Sequence, residues 1–239
     1  MKSVNLLIKP ASSLCNMRCE YCFYHDVAEN REIESYGFMS EETAHKLIDR
    51  AFEYADNVFF AFQGGEPTLC GHGFFTDFTE YAEKKRSEKK ATVRYGIQTN
   101  GLLIDEEFAD IFAKNRFLTG VSLDGTKECH DINRKDAARE GTFSRVKKAT
   151  ELLTKKNVEF NILSVVTEYG ARRAEANYNF YKKNGLRYIQ YIPQIAPFDG
   201  ECAFAPLSAE SYGKFLCRTF DLWYRDFSEG NYISIRDFD

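Results

Sequence analysis

Short apolar runs alternate with amphipathic stretches along almost the whole chain, and this rhythm restricts the fold more than any other feature. Val4–Lys9, Val58–Phe62, Val93–Gln98, Phe117–Leu123, Val158–Val166 and Arg187–Ile192 read as buried strands. Ser40 reads as the N-cap of a helix over 41–55: Glu41 and Glu42 suit its first turn, and Ala44, Leu47, Ile48, Ala51 and Ala55 recur at helical spacing. Further helices are expected around Phe74–Lys85, near Arg172–Lys183 and over Ala209–Phe227, with Asp105 capping another over Phe108, Ile111 and Phe112 and Thr142 capping one that carries Phe143, Val146, Ala149, Leu152 and Leu153. Six strand–helix units of this kind imply an α/β fold with a parallel sheet and right-handed crossovers. The pattern alone is shared by a partial barrel and a doubly wound open sheet.

In either arrangement ligands gather at the C-terminal ends of the strands. The polar and glycine-rich segments fall there: Cys15–Cys22, Gln63–Pro67, Gln98–Gly101, Ser122–Gly125 and Pro193–Pro197. The first holds Cys15-Asn-Met-Arg-Cys19-Glu-Tyr-Cys22, three thiols in one tight loop with no fourth cysteine nearby. Thiolates bind soft metals and iron–sulfur clusters, and closed structural sites use four protein ligands. Three ligands therefore point to a metal centre with one position open. Half a zinc ribbon is a weaker reading, because no second C-x-x-C exists. A redox pair at Cys19 and Cys22 leaves Cys15 idle. The other cysteines, Cys70, Cys129, Cys202 and Cys217, are scattered without ligand spacing, and Cys70-x-His72 and Cys129-His130 have no partner pair.

The cysteine loop, with an aromatic residue before its third cysteine, resembles the cluster motif of radical S-adenosylmethionine (SAM) enzymes. The flanking residues narrow the resemblance to the anaerobic sulfatase-maturating enzymes. They are Lys9-Pro-Ala-Ser-Ser13, Cys22-Phe-Tyr-His25, Ser35-Tyr-Gly37, Phe60-Ala-Phe-Gln-Gly-Gly-Glu-Pro67, Gln98-Thr-Asn-Gly101, Asn133-Arg-Lys-Asp136, Val158-Glu-Phe-Asn-Ile162 and Phe220-Asp-Leu-Trp-Tyr224. The resemblance implies a partial (β/α)6 TIM-like barrel, with residues 1–239 forming the radical SAM core domain. It implies that Cys15, Cys19 and Cys22 hold three irons of a [4Fe–4S] cluster, with SAM on the fourth. For SAM it points to Gly64, Gly65 and Glu66 (amino group), Tyr21 and Ile195 (adenine), Ser122 (ribose) and Arg134 (methionine carboxylate). Tyr24 and Gln63 are the candidates for contact with a protein substrate, with Gln98 and Asn100 lining the cavity. Asp124 reads as a turn residue rather than a base.

The implied reaction is oxidation of a cysteine or serine in an unfolded sulfatase, within a Cys/Ser-x-Pro/Ala-x-Arg motif, to Cα-formylglycine. A 5′-deoxyadenosyl radical takes the hydrogen, and an electron donor such as flavodoxin or ferredoxin supplies reducing equivalents. The family adds a C-terminal domain with two auxiliary [4Fe–4S] clusters, and the general base lies beside one of its cysteines. No such cysteines can be placed here, and Tyr232–Asp239 reads as the start of a strand, so a fragment is expected. Two alternatives are another radical SAM peptide-modifying enzyme and a non-catalytic iron–sulfur or zinc protein.

Composition excludes less. Lys plus Arg is 32 against 36 Asp plus Glu, a net charge of −4, which gives no electrostatic reason to expect nucleic acid or an anionic membrane as partner. The apolar run at the N-terminus is too short for a signal peptide or a membrane span. Clustered free thiols fit a reducing cytoplasm, and an open cluster fits an anaerobic one.

Overall fold

A computed structural model describes residues 2–196 and 205–239, so Cys202 and Pro197 lie outside the described residues. Its frame is one parallel sheet whose seven strands lie side by side in chain order: β1 (Ser3–Ile8), β2 (Asn57–Phe62), β3 (Thr92–Thr99), β4 (Leu118–Ser122), β5 (Phe160–Val166), β6 (Tyr188–Pro193) and the short β7 (Ser234–Ile235). This sequential order excludes the doubly wound alternative, whose strand order reverses at a switch point. With β1 and β7 as its two edges, the sheet is a partial TIM-like barrel.

The helices are α1 (Phe23–Glu29), α2 (Glu41–Tyr54), α3 (Gly71–Lys89), α4 (Glu106–Lys114), α5 (Lys127–Asp131), α6 (Phe143–Lys155), α7 (Glu168–Ala171), α8 (Ala174–Lys183) and α9 (Ala209–Ser228). Strand side chains alternate between faces. On β2, Val58, Phe60 and Phe62 are buried, while Asn57, Phe59 and Ala61 on the other face are only half-buried. Phe60 and Phe62 meet Phe78 edge-to-face at 5.0 Å each, and Phe62 meets Phe75 at 5.1 Å. Each such pair adds about 0.5–1.5 kcal/mol beyond its buried area, which seats α3 firmly behind β2. The stability lies under the sheet; the strand ends above it are left to loops.

The expected caps form at Ser40, which accepts from Thr43 N (3.2 Å), and at Asp105, which accepts from Phe108 N (2.9 Å). Thr142 differs. Its hydroxyl donates to Arg134 O instead (2.9 Å), and Asp131 Oδ1 accepts from Phe143 N at the start of α6 (2.8 Å). The helix expected near Arg172–Lys183 forms but starts only at Ala174, because the residues before it make a separate turn, α7, which Thr167 caps at Gly170 N (3.1 Å). The strand expected from Val158 begins at Phe160, since Val158 N is still tied to Leu153 O at the exit of α6 (3.0 Å).

Candidate functional site

The cysteine loop owes its shape to backbone contacts with two distant segments. Arg18 N donates to Lys135 O (2.7 Å) and Glu20 N to Asn133 O (3.1 Å). Met17 and Asp136 form an antiparallel bridge, and Met17 is buried. The segment Asn133–Asp136 is thus a clamp along the loop. From the other side Glu66 N donates to Leu14 O (2.8 Å). Asn100 Nδ2 reaches Asn16 Oδ1 (2.8 Å) and the Cys15 sulfur (3.7 Å).

Each strand-end loop has its own physical reason. Gly65 has φ +60°, and a Cβ there would sit 2.4 Å from Leu14 O and 2.9 Å from Ser12 O. Glycine is required at that position by the backbone that leads into the cysteine loop. A Cβ on Gly64 would meet the Lys9 stem at 2.9 Å, and the Lys9 ammonium lies 4.8 Å from the centre of the Tyr24 ring. Tyr24 Oη accepts from Gln63 Nε2 (3.0 Å), so the two candidate substrate residues do meet. Glu66 is buried, with a carboxylate that accepts from Thr68 N (3.0 Å), Thr68 Oγ1 (2.6 Å), Thr99 Oγ1 (2.8 Å) and Asn100 N (2.7 Å). Burial pushes its pKa up against those bonds, and the side chain works as a strut between β2 and β3. Ser122 Oγ accepts from Gln98 Nε2 (3.1 Å). Ile195 stands apart, two residues past β6 with its side chain 62% exposed.

Asp124 does more than make a turn. Its Oδ2 accepts from Tyr21 Oη and from Arg134 Nε (2.9 Å), and its Oδ1 accepts from Val165 N (2.9 Å). Tyr21, which lies between two of the thiols, is thereby joined to Arg134. Burial lifts the Tyr21 phenol well above its usual range, so it is a neutral donor. Burial also works against the Arg134 charge, but the adjoining Asp124 more than offsets this and holds the guanidinium above its ordinary value.

Behind this group lies His130, fully buried, with Nδ1 accepting from Asp124 N (3.3 Å) and Nε2 beside Thr142 Oγ1 (2.9 Å). Since that hydroxyl already donates to Arg134 O, Nε2 carries the proton and the ring is neutral. Burial, then the charges of Arg134 and Lys127, push its pKa well below the ordinary value. An unfolded histidine takes up a proton near pH 6.5 while the folded one resists. Stability from His130 is therefore full above about pH 6.5 and falls with decreasing pH below it, by up to about 1.4 kcal/mol per pH unit. Denaturant midpoints at pH 7.5 and 5.5 should differ less for His130→Gln than for the parent. Equal shifts in both proteins would assign the pH dependence elsewhere.

Burial also raises Cys15 to about 11 and Cys19 to about 12, and repulsion from the neighbouring Cys22 adds to both. Desolvated thiols such as those of Cys15 and Cys19 make poor free nucleophiles, but as metal ligands they lose their protons to the metal. Among the described residues no three His, Cys, Asp or Glu side chains converge on a single ion. A four-iron cluster does not require such convergence, because each thiolate takes its own iron. The donor set thus fits a cluster with three protein ligands. Cys70, Cys129 and Cys217 are free and take no part in the loop.

The fold and the loop together define a partial α/β barrel that carries a three-thiol centre at the C-terminal mouth of a parallel sheet. The profile of the Radical SAM superfamily matches residues 10–172, and the chain belongs to that superfamily. It is 46% identical over 242 residues to the cysteine-type anaerobic sulfatase-maturating enzyme of Clostridium novyi, covering 100% of this chain and 64% of that protein. With the serine-type anaerobic sulfatase-maturating enzyme of Bacteroides thetaiotaomicron the identity is 32%, over 99% of this chain and 61% of the relative. The solved structure of native anSMEcpe with bound AdoMet and Kp18Cys peptide superposes with a TM-score of 0.92 at 44% identity, over 100% of this chain and 65% of that one.

Several site features were missed in the sequence. The clamp role of Asn133–Asp136, the Lys9 stem over Gly64 and the Asp124 junction all depend on contacts between residues far apart in the chain. Family matches at Lys9 and at Asn133–Asp136 were signals that these segments matter, without saying how.

Proposed function

We propose that residues 1–239 are the radical SAM core of an enzyme that oxidises a sulfatase cysteine to Cα-formylglycine. The observation that carries this reading is the 0.92 TM-score at 44% identity, across the whole chain, to a structure named for both AdoMet and a cysteine peptide. Cysteine is preferred over serine because identity is 46% to the cysteine-type relative and 32% to the serine-type one. When bound, the cluster and SAM supply the one-electron chemistry that makes a hydrogen-abstracting radical.

The chain's own residues bind and orient. Cys15, Cys19 and Cys22 hold the cluster from a loop fixed on both sides by backbone bonds. Arg134 offers a guanidinium whose Nε is taken by Asp124, leaving its terminal nitrogens for a carboxylate. Gly64–Glu66 present backbone to the amino group, Ser122 its hydroxyl to the ribose, and Tyr21 with Ile195 the adenine contact. Burial raises the Tyr24 pKa, so its hydroxyl is a neutral donor, held by Gln63 and free to bond a peptide carbonyl. The partner is an unfolded sulfatase segment with the Cys-x-Pro-x-Arg pattern, and a small reductase such as flavodoxin or ferredoxin feeds electrons. The two auxiliary clusters of such enzymes find no grouped cysteines within these residues. Among the described residues no helix is long and apolar enough to cross a membrane.

The test is 5′-deoxyadenosine formation by the anaerobically reconstituted protein, with and without Cys-x-Pro-x-Arg and Ser-x-Pro-x-Arg peptides. Formation stimulated by the cysteine peptide is expected. Formation that neither peptide stimulates would move the reading toward another radical SAM peptide-modifying enzyme. No product from a fully iron-loaded protein would end it.

A further inference from the structure

We propose that Asp124 is the positioning residue of this centre: one buried carboxylate aims Arg134 at the mouth and anchors Tyr21, so that the cysteine loop and its arginine are held as a unit. The inference rests on the reading that Arg134 receives the carboxylate of SAM. Asp124 is 4% exposed and Arg134 6%, so the pair is shielded from water. Oδ2 serves Tyr21 and Arg134 together, while Oδ1 is tied to the backbone of β5 at Val165.

The Asp124 backbone is itself immobilised. Its N–H donates to His130, and the next residue, Gly125, has φ +78° with a virtual Cβ only 2.1 Å from Asn177 Oδ1. That same Oδ1 accepts from Thr126 N (3.1 Å). The carboxylate therefore has one position. Arg134 is set against it through Nε alone, with its guanidinium carbon 5.4 Å from the Tyr21 ring centre. Among the described residues neither terminal nitrogen has a hydrogen-bond partner. A guanidinium recognises a carboxylate only when its planar fork is aimed, so fixing Nε fixes what the other two nitrogens can reach. Tyr21 on the same oxygen carries that alignment to the thiol loop, since it lies between Cys19 and Cys22 in the chain.

The test is a double-variant cycle on the reconstituted protein, reading iron per chain, the EPR spectrum of the reduced cluster with and without SAM, and SAM affinity by equilibrium dialysis. D124N keeps the size of the side chain and removes its charge. It is expected to load iron like the parent, to give the parent spectrum without SAM, and to bind SAM about tenfold or more weakly, as loss of a charge-assisted bond predicts. R134Q should weaken SAM at least as much, and D124N/R134Q no further than R134Q alone. Additive losses, or a D124N affinity within about twofold of the parent, would overturn the proposal. A buried arginine left without its counter-charge can also disturb folding. If D124N takes up little iron, D124N/R134Q should recover it, and a double variant as poor as D124N overturns the proposal. Parent protein that loads iron but binds no SAM overturns the underlying reading of Arg134, and this is known before any variant is made.

Discussion

Cys19→Ala is expected to abolish SAM cleavage and to leave the fold in place. The Cys19 side chain makes no hydrogen bond that shapes the loop; the main chain does that, with Cys22 N donating to Cys19 O (3.1 Å) and Glu20 N to Asn133 O (3.1 Å). Removing one half-buried sulfur should cost the apoprotein only about 1 kcal/mol, within the range of ordinary substitutions. Its effect on the cluster is of a different order. With two protein thiolates in place of three, one further iron is left without protein ligation, and among the described residues no other cysteine is grouped near the loop to replace it. Iron and sulfide per chain, 5′-deoxyadenosine yield and the apoprotein melting temperature should be measured together. The expected result is a lost cluster, no detectable product and an almost unchanged melt. Product at the parent rate would remove Cys19 from the cluster, and a collapsed melt would make it a structural thiol.

Gly65→Ala is expected to destabilise the protein itself. A non-glycine residue at φ +60° pays about 1 kcal/mol or more, and the added methyl would be forced against backbone oxygens at 2.4 and 2.9 Å. Backbone cannot swing aside as a flexible side chain can, so overpacking adds about 1–3 kcal/mol. The sum of about 2–4 kcal/mol corresponds to a fall in melting temperature of roughly 4–16 °C for a chain of this size. Gly185 is the control: it follows the C-cap of α8 with φ +69°, and nothing lies within 4 Å of a virtual Cβ, so Gly185→Ala should show the backbone penalty alone. Equal losses in the two variants would mean that the Leu14 contact carries no weight. The comparison also separates two reasons for glycine at this loop, approach of a ligand and approach of the chain to itself. A defect in the apoprotein speaks for the second.

Much of the architecture was legible because burial on one face leaves a periodic trace. The Ala44, Ile48, Ala51 series became the buried face of α2, and Ser40 and Asp105 became caps, because those effects act within one turn. Thr142 misled for an instructive reason. A threonine before an apolar helix is a good local cap, yet its hydroxyl was taken by Arg134 O, a partner eight residues back that no helical rule anticipates. Strand starts shifted for the same kind of reason, as at Val158, where the helix exit kept the backbone donor.

By itself the sequence determined the α/β alternation, the three thiols, and the gathering of polar loops at the strand ends, since all of these follow from spacing and residue chemistry. Only the tertiary structure decided between a sequentially ordered partial barrel and a doubly wound sheet, because both produce the same alternation. It alone showed that Gly65 is shaped by Leu14, that Asn133–Asp136 clamps the cysteine loop, and that Asp124 meets Tyr21 across 103 residues of chain and joins it to Arg134. The physical reason is common to all three. A hydrogen bond or a steric contact between distant segments depends on where the sheet delivers each loop, and local propensity carries no record of that.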